Sequence, residues 1–390
     1  MKYLLGIGLW LSAMFMPVVA EERLTLVYTV TNLAYSSMLN ELVAQRRLPV
    51  DLVYVDNDDI KVTLLKAQQS DSLPDMLIMP NDHLGLAIPF REFLDDGWQQ
   101  TIEPQYLPED LRSARRGVPV IGGNQLVLYY NKRFVAKPMR DFTELDKVAA
   151  SLPEGVATIL WSVMEPFWFQ PFYSIDRASF FNMGNPDVDR PEMWRGLANY
   201  RRLIDLAKVD IACDYSCAFN GFVQGKSAYT INGEWAMQEF SALLGDDLGV
   251  LRLPTFEGHV LHPYYGSRVF AMPAKRALSD KQENVVKSLL EGLLSDDFQM
   301  ALWRKAKLMP VHNGVASALD DPVFSSLAGQ VQEGNYMPQS AAMTVVWESL
   351  NVGLRRFLLG VFDEQEAAHF MQIMTNKTLS EQGRAKQNAG

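Results

Sequence analysis

From residue 3 to residue 19 the chain is almost wholly apolar (Leu4, Leu5, Ile7, Leu9, Trp10, Leu11, Met14, Phe15, Met16) and carries no charge. Lys2 precedes this run, Val18 and Ala20 occupy the small-residue positions of a cleavage site, and Glu21 and Glu22 follow. A charged start, a short apolar stretch and a small-residue exit predict a secretory leader over residues 1–20, cleaved after Ala20. A membrane anchor would need a longer span, and beyond Ala20 no run approaches the ~20 apolar residues of a spanning helix. No cysteine follows the cleavage site, which disfavours a lipid anchor there.

After the leader the pattern changes to short alternating and helical segments. Arg23-Leu-Thr-Leu-Val-Tyr-Thr-Val30 reads as a strand, 36–45 as a helix, 50–55 as a strand and 58–70 as a helix. A short buried strand follows over 75–79, after a turn at Leu73 and Pro74. Strands and helices alternating at this spacing predict a parallel sheet covered by helices. Ligands bind such sheets outside the carboxyl ends of the strands, so the segments after Val30 and Met79 are the first places to look. A second sheet is predicted from strands at 126–130, 157–161, 228–231 and 249–253, with helices at 142–151, 191–207 and 219–225. From about 283 to 390 the pattern is mostly helical. No internal repeat and no low-complexity linker separates the two sheets, so the chain is expected to cross between them more than once.

Length and composition sharpen this picture. A 390-residue chain less its leader is too long for one hydrophobic core, which predicts two lobes. With 48% hydrophobic and 21% charged residues it is an ordinary globular sequence. The formal net charge of −10 gives no electrostatic case for nucleic acid or an anionic membrane as partner. The two cysteines, Cys213 and Cys217, leave two options open. An exported chain favours a disulfide, with 214–216 as a turn, whereas this spacing inside one regular helix fits disulfide geometry poorly.

Catalytic patterns are missing where they would be legible. There is no glycine-rich phosphate loop, no Gly-x-Ser-x-Gly elbow and no His-Glu-x-x-His helix. His259 and His262 are the one close histidine pair, and without a carboxylate pair to complete a zinc set they read as part of a solvated loop. No metal and no cofactor is expected. A glycosidase pair could hide among the 46 acidic residues, but nothing in the sequence points to one.

Several stretches follow one another along the mature chain: Pro74-Asp-Met-Leu-Ile-Met-Pro-Asn-Asp-His-Leu-Gly85, Tyr130-Asn-Lys132, Met164-Glu-Pro-Phe-Trp168, Asp214-Tyr-Ser216, Ala228-Tyr-Thr-Ile-Asn-Gly-Glu-Trp235, Leu253-Pro-Thr-Phe-Glu-Gly258 and Tyr336-Met-Pro338. Through them the chain resembles the maltose-binding proteins and the wider family of extracellular sugar-binding proteins of ABC importers. The resemblance implies an α/β, two-lobed periplasmic binding protein fold, each lobe a sheet flanked by helices, joined by hinge crossover strands. It implies a first lobe of residues 21–123 and 270–320 and a second of 124–269 and 321–390, with crossings near 122–125, 267–272 and 319–323. It also implies a periplasmic monomer that holds a carbohydrate in its cleft and delivers it to an inner-membrane ABC permease.

The resemblance further implies which residues meet the sugar. Trp235 and Trp347 fall at stacking positions, Phe167 and Trp168 lie beside Glu165, Met337 lines the same wall, and Asp82 matches a carboxylate that binds hydroxyls. These residue types suit a pyranose, whose C–H face takes aromatic rings and whose hydroxyl rim takes carboxylates and amides. The competing reading for any aromatic residue is the core, where Trp161, Phe169 and Phe172 are placed. Departures from the maltose-binding pattern are equally informative. An acid–lysine pair becomes Thr31 and Asn32, an arginine becomes His83, a tryptophan Met79, a glutamate Asn124 and a second-lobe arginine Asn351. The second helix offers Asp59, Lys61 and Val62 in place of the family's lysine and glutamates. The fold assignment survives these changes, and the assignment to maltose does not. A ligand-binding sensor subunit for a signalling receptor and a secreted glycoside hydrolase remain the alternative readings.

Overall fold

The computed structural model describes residues 23–388 apart from 58, 94–96 and 276. The predicted leader lies outside the described residues.

The alternation at the start of the mature chain forms β1, Leu24–Tyr28, and the next two apolar runs form β2, Val50–Tyr54, and β3, Met76–Pro80. All three are parallel, with β1 between the others. Helices Leu33–Gln45 and Ile60–Gln69 make the two crossovers. Every residue of β3 is buried, as a strand covered on both faces requires. The chain then forms β4, Val118–Gly123, and passes through Asn124 and Gln125 into β5, Leu126–Asn131, which belongs to a different sheet.

That second sheet is completed by β6, Ala157–Leu160, and, after a small hairpin of β7, Phe181–Asn182, and β8, Asn185–Pro186, by β9, Ser227–Gly233, and β10, Leu248–Leu251. Its order is β10-β5-β9-β6, with β5 antiparallel to both neighbours and β6 parallel to β9. β11, Tyr264–Ala271, returns to the first sheet and runs antiparallel to β3 and β4, and β12, Asn335–Tyr336, adds to its other end.

The closing helices divide between the sheets. Asp280–Leu293 and Asp296–Ala306 pack Leu289, Leu293, Phe298 and Leu302 with Tyr35 and Leu39 beneath Leu24, Leu26 and Ile78. Ala341–Leu358 and Glu364–Asn388 join Pro191–Ala207 over the second sheet through Val346, Leu350, Leu354, Met371, Leu197 and Tyr200. A third cluster bridges the two, from Leu77, Met79 and Val269 of the first sheet to Val127 and Tyr129 of the second. The result is a mixed α/β fold of two main sheets, each flanked by helices and joined by chain crossings.

Several sequence expectations shift. The helix placed at 219–225 begins earlier, as Tyr215–Val223, with the Asp214 carboxylate accepting the Cys217 N–H at 2.8 Å. Residues 214–216 are therefore the helix start and not a separate turn. Cys213 lies before the helix and Cys217 in its first turn, and the two are joined in a disulfide with their Cα atoms 5.3 Å apart. The poor fit of a bridge inside one regular helix does not arise. His262 is not in a solvated loop: it is buried, with Nδ1 2.7 Å from the Glu333 carbonyl, and burial pushes its pKa down. His259 is exposed, as expected. Glu165 lies just before helix Pro166–Tyr173, at its N-cap position and without a side-chain cap hydrogen bond.

Candidate functional site

The carboxyl ends of β1, β2 and β3 open side by side, and the loops that leave them carry polar residues. After β1 come Thr29, Thr31 and Asn32; after β2, Asn57; after β3, the 3-10 turn Asn81–Gly85 with Asp82 and His83. Thr31 is exposed. Asn32 is buried and committed to the fold, since its Oδ1 accepts the Tyr35 N–H at 3.0 Å, capping helix Leu33–Gln45, while Nδ2 donates to the Ala306 carbonyl at 2.7 Å. Asp82 and His83 are partly buried, with Asp82 Oδ1 3.8 Å from His83 Nδ1, and neither of these two atoms makes a hydrogen bond. Asn81, wholly buried, accepts the Ser267 N–H at 3.0 Å and donates to the Met337 carbonyl at 3.2 Å. Met337 itself is buried.

A second set of residues converges from the other sheet. β9 ends in the turn Glu234–Ala236, which presents Trp235; helix Pro166–Tyr173 supplies Phe167 and Trp168; helix Ala341–Leu358 supplies Trp347. Phe167 is the hub, with ring centroids 6.0 Å from Trp235, 6.2 Å from Trp347 and 6.1 Å from Trp168. Phe167, Trp235 and Trp347 are partly exposed, whereas Trp168 is buried and donates its indole N–H to the Ile231 carbonyl at 2.8 Å. Trp168 therefore supports the wall from behind. Tyr215, exposed at the start of its helix, extends the wall by an edge contact with Trp168 at 6.3 Å. Trp161, Phe169 and Phe172 lie in the core as expected.

Polar groups border the rings. Arg355 Nε donates to Asn351 Oδ1 at 2.8 Å, and its Nη2 lies 3.8 Å from Glu165 Oε1. The cation absent at position 351 is thus present one helical turn later. Lys61, on the helix between β2 and β3, meets Glu348, the neighbour of Trp347, at 3.0 Å. That contact joins the two sets of residues directly.

Between them lies the crossing from β4 to β5. Gly123 and Asn124 both have positive φ, 91° and 52°, and a Cβ on residue 123 would collide with the Glu234 carboxyl. Asn124 donates its backbone N–H to Glu234 Oε1. Burial pushes the Glu234 carboxyl up to about 8, so near neutrality it is largely uncharged. Gln330 fastens the same crossing, donating to Gln125 Oε1 at 2.7 Å and to the Leu126 carbonyl at 2.8 Å.

Sequence reasoning missed Arg268 of β11. Its Nη1 donates to Thr29 Oγ1 at 2.8 Å and approaches Asn57 Oδ1 at 3.4 Å, and its charge is felt by Asp82 and Glu234. Burial lowers its pKa from the ordinary arginine value. The available signal was a lone cation in an otherwise apolar, β-rich run, Tyr264–Ala271. Among the described residues no cluster of His, Cys, Asp and Glu could hold a metal ion, and no helix is long and apolar enough to cross a membrane. Chemically, the arrangement offers flat apolar faces on one side and hydrogen-bonding groups of both kinds on the other.

Comparison with known proteins bears on what such a site takes. The family described as bacterial extracellular solute-binding protein matches residues 40–328. A maltotriose-binding protein of Pyrococcus abyssi is 23% identical over 330 residues, 76% of this chain and 68% of the relative. A maltooligosaccharide ABC transporter solute-binding lipoprotein of Streptococcus pneumoniae serotype 4 is 21% identical over 340 residues, 80% of this chain and 78% of the relative. Among solved structures, a maltose/maltodextrin-binding domain of Bdellovibrio bacteriovorus bound to maltotriose superposes with a TM-score of 0.81 at 22% identity, covering 92% of this chain and all of that one.

Proposed function

The chain belongs to the family of bacterial extracellular solute-binding proteins, and from that premise we propose that it captures an oligosaccharide between its lobes for an inner-membrane ABC permease. The observation that carries this reading is the group of Phe167, Trp235 and Trp347 beside the polar carboxyl ends of β1, β2 and β3. Rings of this kind cover the C–H face of a pyranose, and the polar groups bond its rim. The names of the relatives point the same way, since each describes a protein of malto-oligosaccharides.

In this reading Trp235, Trp347 and Phe167 stack on sugar rings, with Trp168 and Met337 behind them. Glu165, Asn351, Asp82, His83, Thr31 and Asn124 line the rim. Asn32 acts through its cap and not by contact. The lobes comprise residues 21–123 with 270–320 and 124–269 with 321–390, the leader is removed after Ala20, and the mature protein works as a periplasmic monomer without catalytic activity.

A thermal-shift panel of mono- to tetrasaccharides tests this. A ligand bound only by the folded state raises its stability by RT ln(1 + [L]/Kd). At least one oligosaccharide should raise the melting temperature, and chromogenic glycosides should be returned unhydrolysed. A panel without any shift, or turnover of a glycoside, contradicts the reading.

A further inference from the structure

Arg268 stands where three loops from the carboxyl ends of parallel strands come together. Thr29 leaves β1, Asn57 leaves β2, and Asp82 lies in the turn that leaves β3. The guanidinium reaches the first two directly, at 2.8 and 3.4 Å, through the same nitrogen, Nη1. Both acceptors are neutral. Nε and Nη2 make no hydrogen bond to a described residue, and no described carboxylate forms an ion pair with the group.

The other cations bordering the site are matched: Lys61 with Glu348, and Arg355 with Glu165. Glu234, on the second-lobe side of Arg268, is buried with one carboxyl oxygen unpartnered, and its high pKa leaves it largely uncharged near neutrality. Asp82 acts on Arg268 through space and forms no hydrogen bond or ion pair with it. A partly buried guanidinium that offers a planar edge and has no described carboxylate within ion-pair distance can take one from a ligand, and a carboxylate is the group that fits such a fork.

Resting on the oligosaccharide reading above, we propose that the ligand is an acidic sugar, and that Arg268 receives its carboxylate while Asp82 accepts its hydroxyl protons. A uronic acid unit carries both groups on one ring, together with the C–H face that the aromatic wall requires. The cations that the maltose-binding pattern places on the first lobe are replaced at Asn32 and His83, so the positive charge of the cleft comes instead from β11.

Titration calorimetry with trigalacturonate, and with maltotriose as its neutral α-1,4-linked counterpart, tests the proposal on wild type, Arg268→Met and Arg268→Lys. Trigalacturonate should bind at least about tenfold more tightly than maltotriose to the wild-type chain, a preference that Arg268→Met removes. Arg268→Lys should keep only part of it, because an ammonium supplies charge without the fork; it serves alone if the methionine variant does not fold. Trigalacturonate affinity undiminished in both variants overturns the assignment of Arg268. Binding of maltotriose with trigalacturonate silent overturns the acidic ligand and leaves the oligosaccharide reading standing. Silence towards both also overturns the acidic ligand, and the wider reading then falls only if the thermal-shift panel is silent too.

Discussion

Burial of the indole rings separates wall from core among four tryptophans. Trp161 donates to the Tyr200 hydroxyl at 2.8 Å and Trp168 to the Ile231 carbonyl, both in buried surroundings, whereas Trp235 and Trp347 keep part of their rings exposed beside Phe167. Trp235→Ala and Trp347→Ala should each weaken oligosaccharide binding by about 1–3 kcal/mol through lost contact with the sugar face. Trp161→Ala should instead cost about 3–5 kcal/mol of folding stability. Calorimetric titration and melting curves separate the two effects, and unchanged affinity with a collapsed melting temperature would return Trp235 and Trp347 to the core. Glu234 makes a different claim at the same scale. Its folded pKa of about 8 exceeds the ordinary 4.5, so the folded state holds a proton that the unfolded chain releases. Its contribution is complete below about 4.5 and is lost as pH rises towards 8, with a slope of at most about 1.4 kcal/mol per pH unit. Glu234→Gln cannot lose that proton, so its melting temperature should fall less than that of wild type between pH 5 and pH 8 (roughly the window set by the two pKa values). Parallel profiles would mean that Glu234 is ionised in the fold.

Elements differ in how openly the sequence declares them. β1, β2 and β3 are legible because alternating or continuous apolar positions give the strand period, which points to the segment after Met79; Asp82 and His83 within it come from the resemblance. Helix Pro166–Tyr173 is hidden by its own prolines, Pro166 at the first turn and Pro171 inside. β4 is hidden likewise, with Pro119 and two closing glycines in six residues. Arg268 was missed because its strand had been read only as a crossing, and its partners come from loops more than 200 residues away. Asn32, matched to a ligand position by resemblance, has both ends of its amide engaged in the fold, as the cap of helix Leu33–Gln45 and as donor to the Ala306 carbonyl. The wall could be named from resemblance, but its hub at Phe167 follows only from packing. The start of helix Tyr215–Val223 carries its own test. Its disulfide closes a very short loop, for which chain entropy gives about 2 kcal/mol. Replacing Cys213 and Cys217 by serine should lower stability by about that amount and loosen Tyr215 at the rim, so oligosaccharide affinity should fall as well. A stability loss with affinity intact would confine the bridge to a structural role.

At the scale of the whole molecule, two sheets share crossings held by specific bonds, among them the Asn124–Glu234 contact, the Gln125–Gln330 pair and the Asn81 bridge from Ser267 to Met337. Binding proteins of the periplasm are standard examples of hinge closure around a ligand. A ligand shifts such a hinge only if it touches both lobes, because only then does it bind one arrangement more tightly than the other. The aromatic wall and the ends of β1, β2 and β3 belong to different sheets, so an oligosaccharide held by both should favour closure. Small-angle X-ray scattering with and without the oligosaccharide found by thermal shift measures this directly. The account predicts a smaller radius of gyration at saturating ligand; a tightly bound oligosaccharide that leaves the radius unchanged would contradict it.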